Sequence, residues 1–198
     1  MIKRIFDFCL ALAGLIALSP VLCLIAIWIK LDSKGSVFFR QQRVGLHGEL
    51  FSIHKFRTMT ENTESQGQLT IGADRRVTRA GEFLRKSKLD ELPQLIDVLQ
   101  GKMSLVGPRP EVPNFMNRYP DDIRTKILSV KPGITDRASI EMVDENEILG
   151  QYDDPHQAYI DIIMPMKAKY YVDYANHHSV WGDIKIIFAT IRKIIVRD

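Results

Sequence analysis

A mixed α+β fold, predominantly helical with one small β-hairpin, is what the sequence predicts, carried on an apolar amino-terminal helix. Three observations point there. No charged residue occurs between Phe8 and Ile29, a single pair of β-rich runs flanks "GLHG" at 45–48, and apolar residues elsewhere recur mainly at helical spacing. A length of 198 residues suits one catalytic-sized domain. The natural division is a membrane helix over 1–31 and a second unit over 32–198.

Charge is nearly balanced, with 27 Lys plus Arg against 24 Asp plus Glu. That is too even for a dedicated nucleic-acid binder, so no nucleic-acid partner is expected. The front of the chain is nonetheless basic: residues 1–60 hold eight Lys or Arg and three Asp or Glu. Such a front end suits anionic lipid or phosphate. Cys9 and Cys23 both lie inside the apolar run and act as small hydrophobes, so no disulfide framework is implied.

The run "FCLALAGLIALSPVLCLIAIWI" would make a helix of roughly 33 Å, matching a hydrocarbon core of about 30 Å. It is too long for the apolar part of a cleavable signal peptide. Ser19 and Pro20 stand at its middle, where proline leaves the carbonyl of residue 16 without a donor. Ser19 can offer its hydroxyl instead. Lys3 and Arg4 precede the segment, and Lys30, Lys34, Arg40 and Arg43 follow it. Positive charge at both ends favours keeping both on the cytoplasmic side, as in a helix that enters, bends at Ser19-Pro20 and returns. An ordinary span with a proline kink fits these residues equally well.

Along the remainder, "VFFRQQRVGLHGELFSIHKFRTM" predicts a hairpin whose turn uses Gly45 and Gly48. Strand alternation places Lys55 and Arg57 on one face and Phe56 on the other. Residues 60–76 are polar and predict a loop. Residues 79–88 predict a short helix with Phe83 and Leu84 inward and Arg85, Lys86 and Lys88 outside or at a site. Leu92, Leu95, Ile96 and Leu99 follow i, i+3, i+4, i+7, with Pro93 in the first turn and Gly101 at the end. "GPRPEVP" reads as rigid loop and 114–129 as helix. Residues 141–154 carry six acids and no base, the pattern of a solvated loop or, less simply, a ligand site. In the tail, Ile184, Ile187, Phe188, Ile191, Ile194 and Ile195 form one stripe, with Lys185, Arg192, Lys193 and Arg197 off it. That helix either lies in the headgroup layer or packs on the core.

The chemistry concentrates in "SKLDELPQL", residues 87–95. Asp90 and Glu91 fall where a helix is about to begin, so Asp90 could be no more than an N-cap. The same position attracts phosphate and lets adjacent carboxylates share one pocket, whereas mid-helix they would diverge by about 100°. Phosphate would need cations there. Arg85 lies one turn upstream, Arg109 is held between the prolines of "GPRP", and Lys55 and Arg57 add two more. Mg²⁺ bound by one or two carboxylates and substrate phosphates is the usual complement, with Asp90 as its protein ligand.

"KFRTM" (55–59), "LRKSKLDELPQLIDVLQGKMSLVGPRP" (84–110) and "KPGIT" (131–135) strongly resemble the bacterial sugar transferases, specifically the small monotopic phosphoglycosyl transferases that load sugar 1-phosphate onto polyprenyl phosphate. The resemblance covers essentially the whole chain. It implies a re-entrant helix broken at Ser19-Pro20, amphipathic interfacial helices, and a place on the cytoplasmic face of a bacterial inner membrane among membrane lipid. It implies a nucleoside diphosphate sugar donor, usually a UDP-sugar, with undecaprenyl phosphate as acceptor and Mg²⁺ as cofactor. Asp90 would attack the sugar-bearing phosphate and release UMP, and polyprenyl phosphate would then discharge the phosphosugar-enzyme. Glu91 would assist as acid/base or metal support, while Lys55, Arg57, Arg85 and Arg109 would hold phosphate. The product would begin an exopolysaccharide, capsule, O-antigen (lipopolysaccharide) or glycoprotein glycan. One departure stands out: after "KPGIT" the family commonly has glycine, an aromatic or leucine, then Ala-Gln. Here Asp136, Arg137, Ala138 and Ser139 follow, which bears on sugar identity and on closure of that loop.

The contrasting reading is a non-catalytic, membrane-anchored basic adaptor whose cations bind headgroups. Other phosphate chemistries lack their signatures: no glycine-rich loop with its lysine occurs, and no aspartate-rich prenyltransferase pattern. His177 and His178 have no third ligand at metal spacing to suggest zinc.

Overall fold

The computed structural model describes residues 1–60, 74–142 and 145–196. Its first helix, α1 (Ile2–Asp32), is followed by a hairpin of β1 (Phe38–Val44) and β2 (Leu50–Phe56). Next come α2 (Arg79–Ser87), a 3₁₀ turn (Leu89–Glu91), α3 (Gln94–Leu99) and β3 (Ser104–Val106). Short helices α4 (Pro113–Met116) and α5 (Asp121–Ile127) lead to β4 (Gly133–Thr135). The chain closes with α6 (Arg137–Glu141), α7 (Glu145–Leu149), α8 (Pro155–Ala158), a π turn (Tyr159–Ile163), α9 (Met164–His177) and α10 (Val180–Ile195). The architecture is mainly helical with two two-stranded sheets, one antiparallel and one parallel.

α1 stays helical through Pro20, so no non-helical residue interrupts it at Ser19-Pro20. The reason is local. Ser19 Oγ donates to Ile16 O at 2.8 Å, the carbonyl that proline cannot serve. At 31 residues the helix is roughly 46 Å long, and it packs on the rest of the protein along most of that length. Asp7, Ala11, Ile25 and Ile29 are buried on one stripe. Ala11 joins Phe51, Ile53, Leu95, Val98 and Met103, while Ile25 and Ile29 join Phe56 and Leu84. The opposite face leaves Leu12, Ile16, Val21, Leu24, Ile27 and Leu31 exposed.

Polar contacts fasten both ends. Near the start, Arg4 donates to Val98 O and Leu99 O at 2.5 and 2.9 Å, completing the carboxyl end of α3. Lys3 reaches Asp183 of α10 at 2.5 Å, and Asp7 accepts from Ser104 Oγ at 2.8 Å. At the far end, Asp32 accepts from Ala80 N at 3.0 Å, serving an otherwise unpaired amide in the first turn of α2.

The hairpin forms as expected, with Phe38 opposite Phe56 and Val44 opposite Leu50. Its turn relies on His47 and Gly48, both at positive φ, whereas Gly45 is extended. Parallel β3 and β4 pair Ser104 with Gly133 and Val106 with Thr135. A Cβ on Gly133 would stand 2.1 Å from Gly107 N, so only glycine allows the strands this approach. The consequence is functional geometry: the segments leaving β3 and β4, which carry Arg109 and Asp136, emerge side by side.

Several expectations need correction. Phe83 is not inward but 52% exposed, its ring 5.5 Å from that of Trp28, while Leu84 is buried. The helix over 114–129 is split into α4 and α5 around Pro120. The acidic 141–154 stretch is not all loop: it contains α7, whose Leu149 is buried, and Glu145 pairs with Lys167 at 2.8 Å. Most of the predicted 60–76 loop and Arg197 lie outside the described residues. In α10 the apolar stripe does not build the core. Asp183 is buried, whereas Trp181, Phe188, Ile191, Ile194 and Ile195 are exposed.

Candidate active site

The segment that carries the two acids starts at the end of α2. Lys88 takes a left-handed conformation, φ 59° and ψ 13°, and turns the chain into the 3₁₀ turn Leu89–Glu91. Glu91 N donates back to Lys88 O at 3.3 Å. Because α3 begins only at Gln94, with Pro93 before it, Asp90 is not its N-cap and makes no capping bond. The carboxylate is used otherwise.

Asp90 is 1% exposed and Glu91 is also buried, a costly place for two adjacent acids unless cations meet them. Lys55, at the end of β2, lies 2.8 Å from Asp90 Oδ2 and 3.4 Å from Glu91 Oε1. Arg109, fixed between Pro108 and Pro110, forks onto Glu91: one guanidinium nitrogen reaches Oε2 at 3.1 Å and the other is bound to Oε1. Burial by itself would push the Glu91 carboxyl up, but Arg109 and Lys55 outweigh it and hold the group well below the usual glutamate range. Glu91 is therefore a fixed anion. Arg109 is raised in turn, chiefly by Glu91.

Asp90 has a second oxygen, Oδ1, that is buried without any hydrogen-bond partner. A buried carboxylate oxygen left bare is rare and calls for a reason. Here it sits on an acid whose other oxygen is held by an ammonium, which is the state of an oriented nucleophile or an open metal ligand. The donor set also fits Mg²⁺: hard carboxylate oxygens, too few to cage the ion, as expected where substrate phosphates complete its coordination. No cluster of three His, Cys, Asp or Glu suited to a metal occurs among the described residues.

Other predicted residues separate. Arg85 donates from Nε to Thr58 Oγ1 at 2.8 Å; burial lowers its guanidinium, and Asp90 raises it in compensation, so it borders the acids. Arg57 does not join them. Beyond the end of β2 the strand alternation lapses, and Arg57 donates to Lys34 O at 2.6 Å, Ser33 O at 2.8 Å and Ser33 Oγ at 3.0 Å. It thus caps the carboxyl end of α1, where a cation is favoured. Ser19 and Pro20 are exposed on α1.

Two residues gain importance that sequence reasoning undervalued. The sequence leaves Lys88 outside or at a site; desolvation by its packed surroundings lowers its ammonium although the residue keeps an exposed surface, with Glu91, Arg109, Lys55 and Asp90 as its charged neighbours. Its spacing of three from Glu91 was the available signal. Asp136 follows β4 beside Arg109 and caps α6, accepting from Ser139 N at 2.9 Å and Ser139 Oγ at 2.6 Å. The departure after "KPGIT" thus supplies a helix cap. A separate cavity of about 380 Å³ between α6, α9 and α10 is lined in part by Tyr174, His177, His178 and Lys185, apart from the two acids.

A family model described as bacterial sugar transferase matches residues 1–197. The chain is 42% identical to the UDP-glucose:undecaprenyl-phosphate glucose-1-phosphate transferase of Escherichia coli (strain K12), over 98% of this chain and 40% of that protein. It is 38% identical to the UDP-N-acetylgalactosamine-undecaprenyl-phosphate N-acetylgalactosaminephosphotransferase of Aeromonas hydrophila, over 98% of this chain and 44% of that protein. The chain therefore spans about two fifths of the length of these relatives. Against the uncharacterized sugar transferase EpsL of Bacillus subtilis (strain 168) it is 35% identical, over all of this chain and 89% of that protein.

Proposed function

We propose that this chain, which belongs to the bacterial sugar transferase family, is a phosphoglycosyl transferase that moves sugar 1-phosphate from a UDP-sugar to undecaprenyl phosphate. The activities for which its relatives are named support the reaction class, and their different sugars leave the hexose open. The observation that carries the mechanism is the bare, buried Oδ1 of Asp90 beside Lys55. An adaptor that only binds headgroups has no use for it.

In the first step Asp90 Oδ1 forms a bond to the phosphorus that carries the sugar. The bond from that phosphorus to the bridging oxygen breaks, and UMP departs with the oxygen and its electron pair. In the second step an oxygen of the lipid phosphate bonds to the same phosphorus, and the Asp90 carboxylate leaves. Charge balances in both steps without a proton transfer, which agrees with Glu91 being held ionised rather than poised as an acid. Splitting one transfer into two lets donor and acceptor use the same few cations in turn. Lys55 orients the nucleophile, Arg109 holds Glu91 and offers its outer edge to phosphate, and Arg85 faces the same pocket. Mg²⁺, held by Asp90 and supported by Glu91, would neutralise phosphate charge when bound.

The product, a polyprenyl diphosphate sugar, would begin a surface glycan such as exopolysaccharide, capsule, O-antigen or a glycoprotein glycan. The enzyme would sit on the cytoplasmic face of the inner membrane. One domain grips both ends of α1, so the helix would not carry those ends to opposite sides of a bilayer, whereas its outer face and that of α10 are apolar enough to enter lipid. A panel of UDP-sugars with undecaprenyl phosphate tests the reading. One sugar should give UMP and lipid-linked product with the unsubstituted protein, and Asp90→Asn should lower that rate about a thousandfold or more. No UMP from any sugar would contradict it.

A further inference from the structure

Four cations surround the two acids, and three are already committed. Lys55 bridges Asp90 and Glu91, Arg109 forks onto Glu91, and Arg85 donates to Thr58. Lys88 alone of these makes no side-chain hydrogen bond or ion pair with a described residue. Its position is unusual on a second ground. Among non-glycine described residues only His47 and Lys88 have positive φ. At the carboxyl end of a helix this conformation ordinarily belongs to glycine or asparagine, because a side chain there crowds the backbone. The fold would be served as well by glycine, so the lysine answers to something other than the turn.

The turn also places it beside the acids. Glu91 N bonds to Lys88 O, closing a turn that fixes Lys88 at the head of the 3₁₀ segment carrying both acids. Glu91, Arg109, Lys55 and Asp90 are the charged neighbours of its ammonium, and the residue is exposed to a ligand. An ammonium on a flexible four-carbon stem is a point charge suited to following a phosphate as it moves.

We propose that Lys88 is a substrate-binding residue whose ammonium takes the diphosphate oxygens of the nucleotide-sugar donor and stabilises the departing nucleoside monophosphate. This rests on the phosphoglycosyl transferase reading above. The donor is favoured over the lipid phosphate because negative charge accumulates on the leaving oxygen in the first step, and the other three cations already serve protein groups before substrate arrives.

Three variants of the full membrane-bound chain separate side chain from backbone: Lys88→Gly, Lys88→Met and Lys88→Arg. Release of UMP from UDP-sugar without acceptor reads the first step, and calorimetry with UDP alone reads binding. Lys88→Gly should melt at or above the temperature of the unsubstituted protein, yet raise KM for UDP-sugar and Kd for UDP at least tenfold. Lys88→Met should share the binding loss, and Lys88→Arg should recover most of it. A Lys88→Gly protein within twofold in both constants overturns the proposal. So does a defect confined to KM for the lipid acceptor, or one present in Lys88→Gly and absent from Lys88→Met. If the unsubstituted chain binds UDP through Lys88 but releases no UMP from any sugar, the reaction reading fails while the lysine's role stands.

Discussion

Lys55 holds Asp90 by one oxygen only: Nζ lies 2.8 Å from Oδ2, and Oδ1 is left buried and unpartnered. The two oxygens are therefore unequal. One is fixed by an ammonium, which locks the side-chain rotamer, and the other retains its lone pairs for an electrophile. A carboxylate serving only as a cap or an ion-pair partner would fill both.

Arg109→Ala should damage both stability and activity. It strips Glu91 of its two-nitrogen partner inside a buried site, for which a fully buried pair costs about 3–5 kcal/mol. Because a third of the Arg109 side chain is exposed, a loss on the order of 2 kcal/mol is expected. Denaturant melts in detergent measure it, and a double-mutant cycle with Glu91→Gln should show strong coupling. Additive effects would mean the fork contributes little.

The pH response of stability follows from Glu91. Its folded pKa lies below the ordinary value of 4.5, so its stabilisation is fully present above that value and is lost as pH falls toward the folded pKa. The stability gap between the unsubstituted protein and Glu91→Gln should stay constant from neutral pH down to about 5 and then shrink with further acid. Melts across that range decide it; a gap that widens on acidification contradicts the assignment.

Arg57→Ala should loosen the protein without changing donor affinity. Three bonds to Ser33 and Lys34 disappear, each to a charged donor worth about 1.5–3 kcal/mol at most, with partial replacement by water. A lower melting temperature with KM for UDP-sugar unchanged is the expected pair of results. A tenfold rise in KM with an unchanged melt would return Arg57 to the phosphate site.

Topology is open to a labelling test. After Cys9 and Cys23 are replaced by serine, single cysteines at Ile2 and Lys34 should both react with an impermeant maleimide from the same side of sealed vesicles. Reaction from opposite sides would mean that α1 spans, and that the contacts of Lys3 and Asp32 with one domain do not survive in the membrane.

Much of this was written in local pattern. The uncharged run made α1 visible, "GLHG" the hairpin, and the spacing of Leu92, Leu95, Ile96 and Leu99 the helix after the acids. The limits were nonlocal. Asp183 is 180 positions from Lys3, and nothing near either predicts their contact. Strands β3 and β4 have three residues each, too few for alternation to register, yet their pairing brings Arg109 beside Asp136. Alternation groups Arg57 with Lys55 only if it continues one residue past the strand, which ends at Phe56. Asp90 was legible as a reacting group or as a cap, and the delayed start of α3 at Gln94 decides against the cap.

The central claim is a covalent bond from Asp90 to the phosphorus of the donor, and intact mass spectrometry tests it most directly. Protein mixed with its UDP-sugar in the absence of lipid acceptor and quenched in acid should gain the mass of one sugar phosphate. Peptide mapping should locate it on Asp90, and undecaprenyl phosphate added before the quench should discharge it. An enzyme that turns over normally while no adduct forms, or one whose adduct persists in Asp90→Asn, would contradict the account.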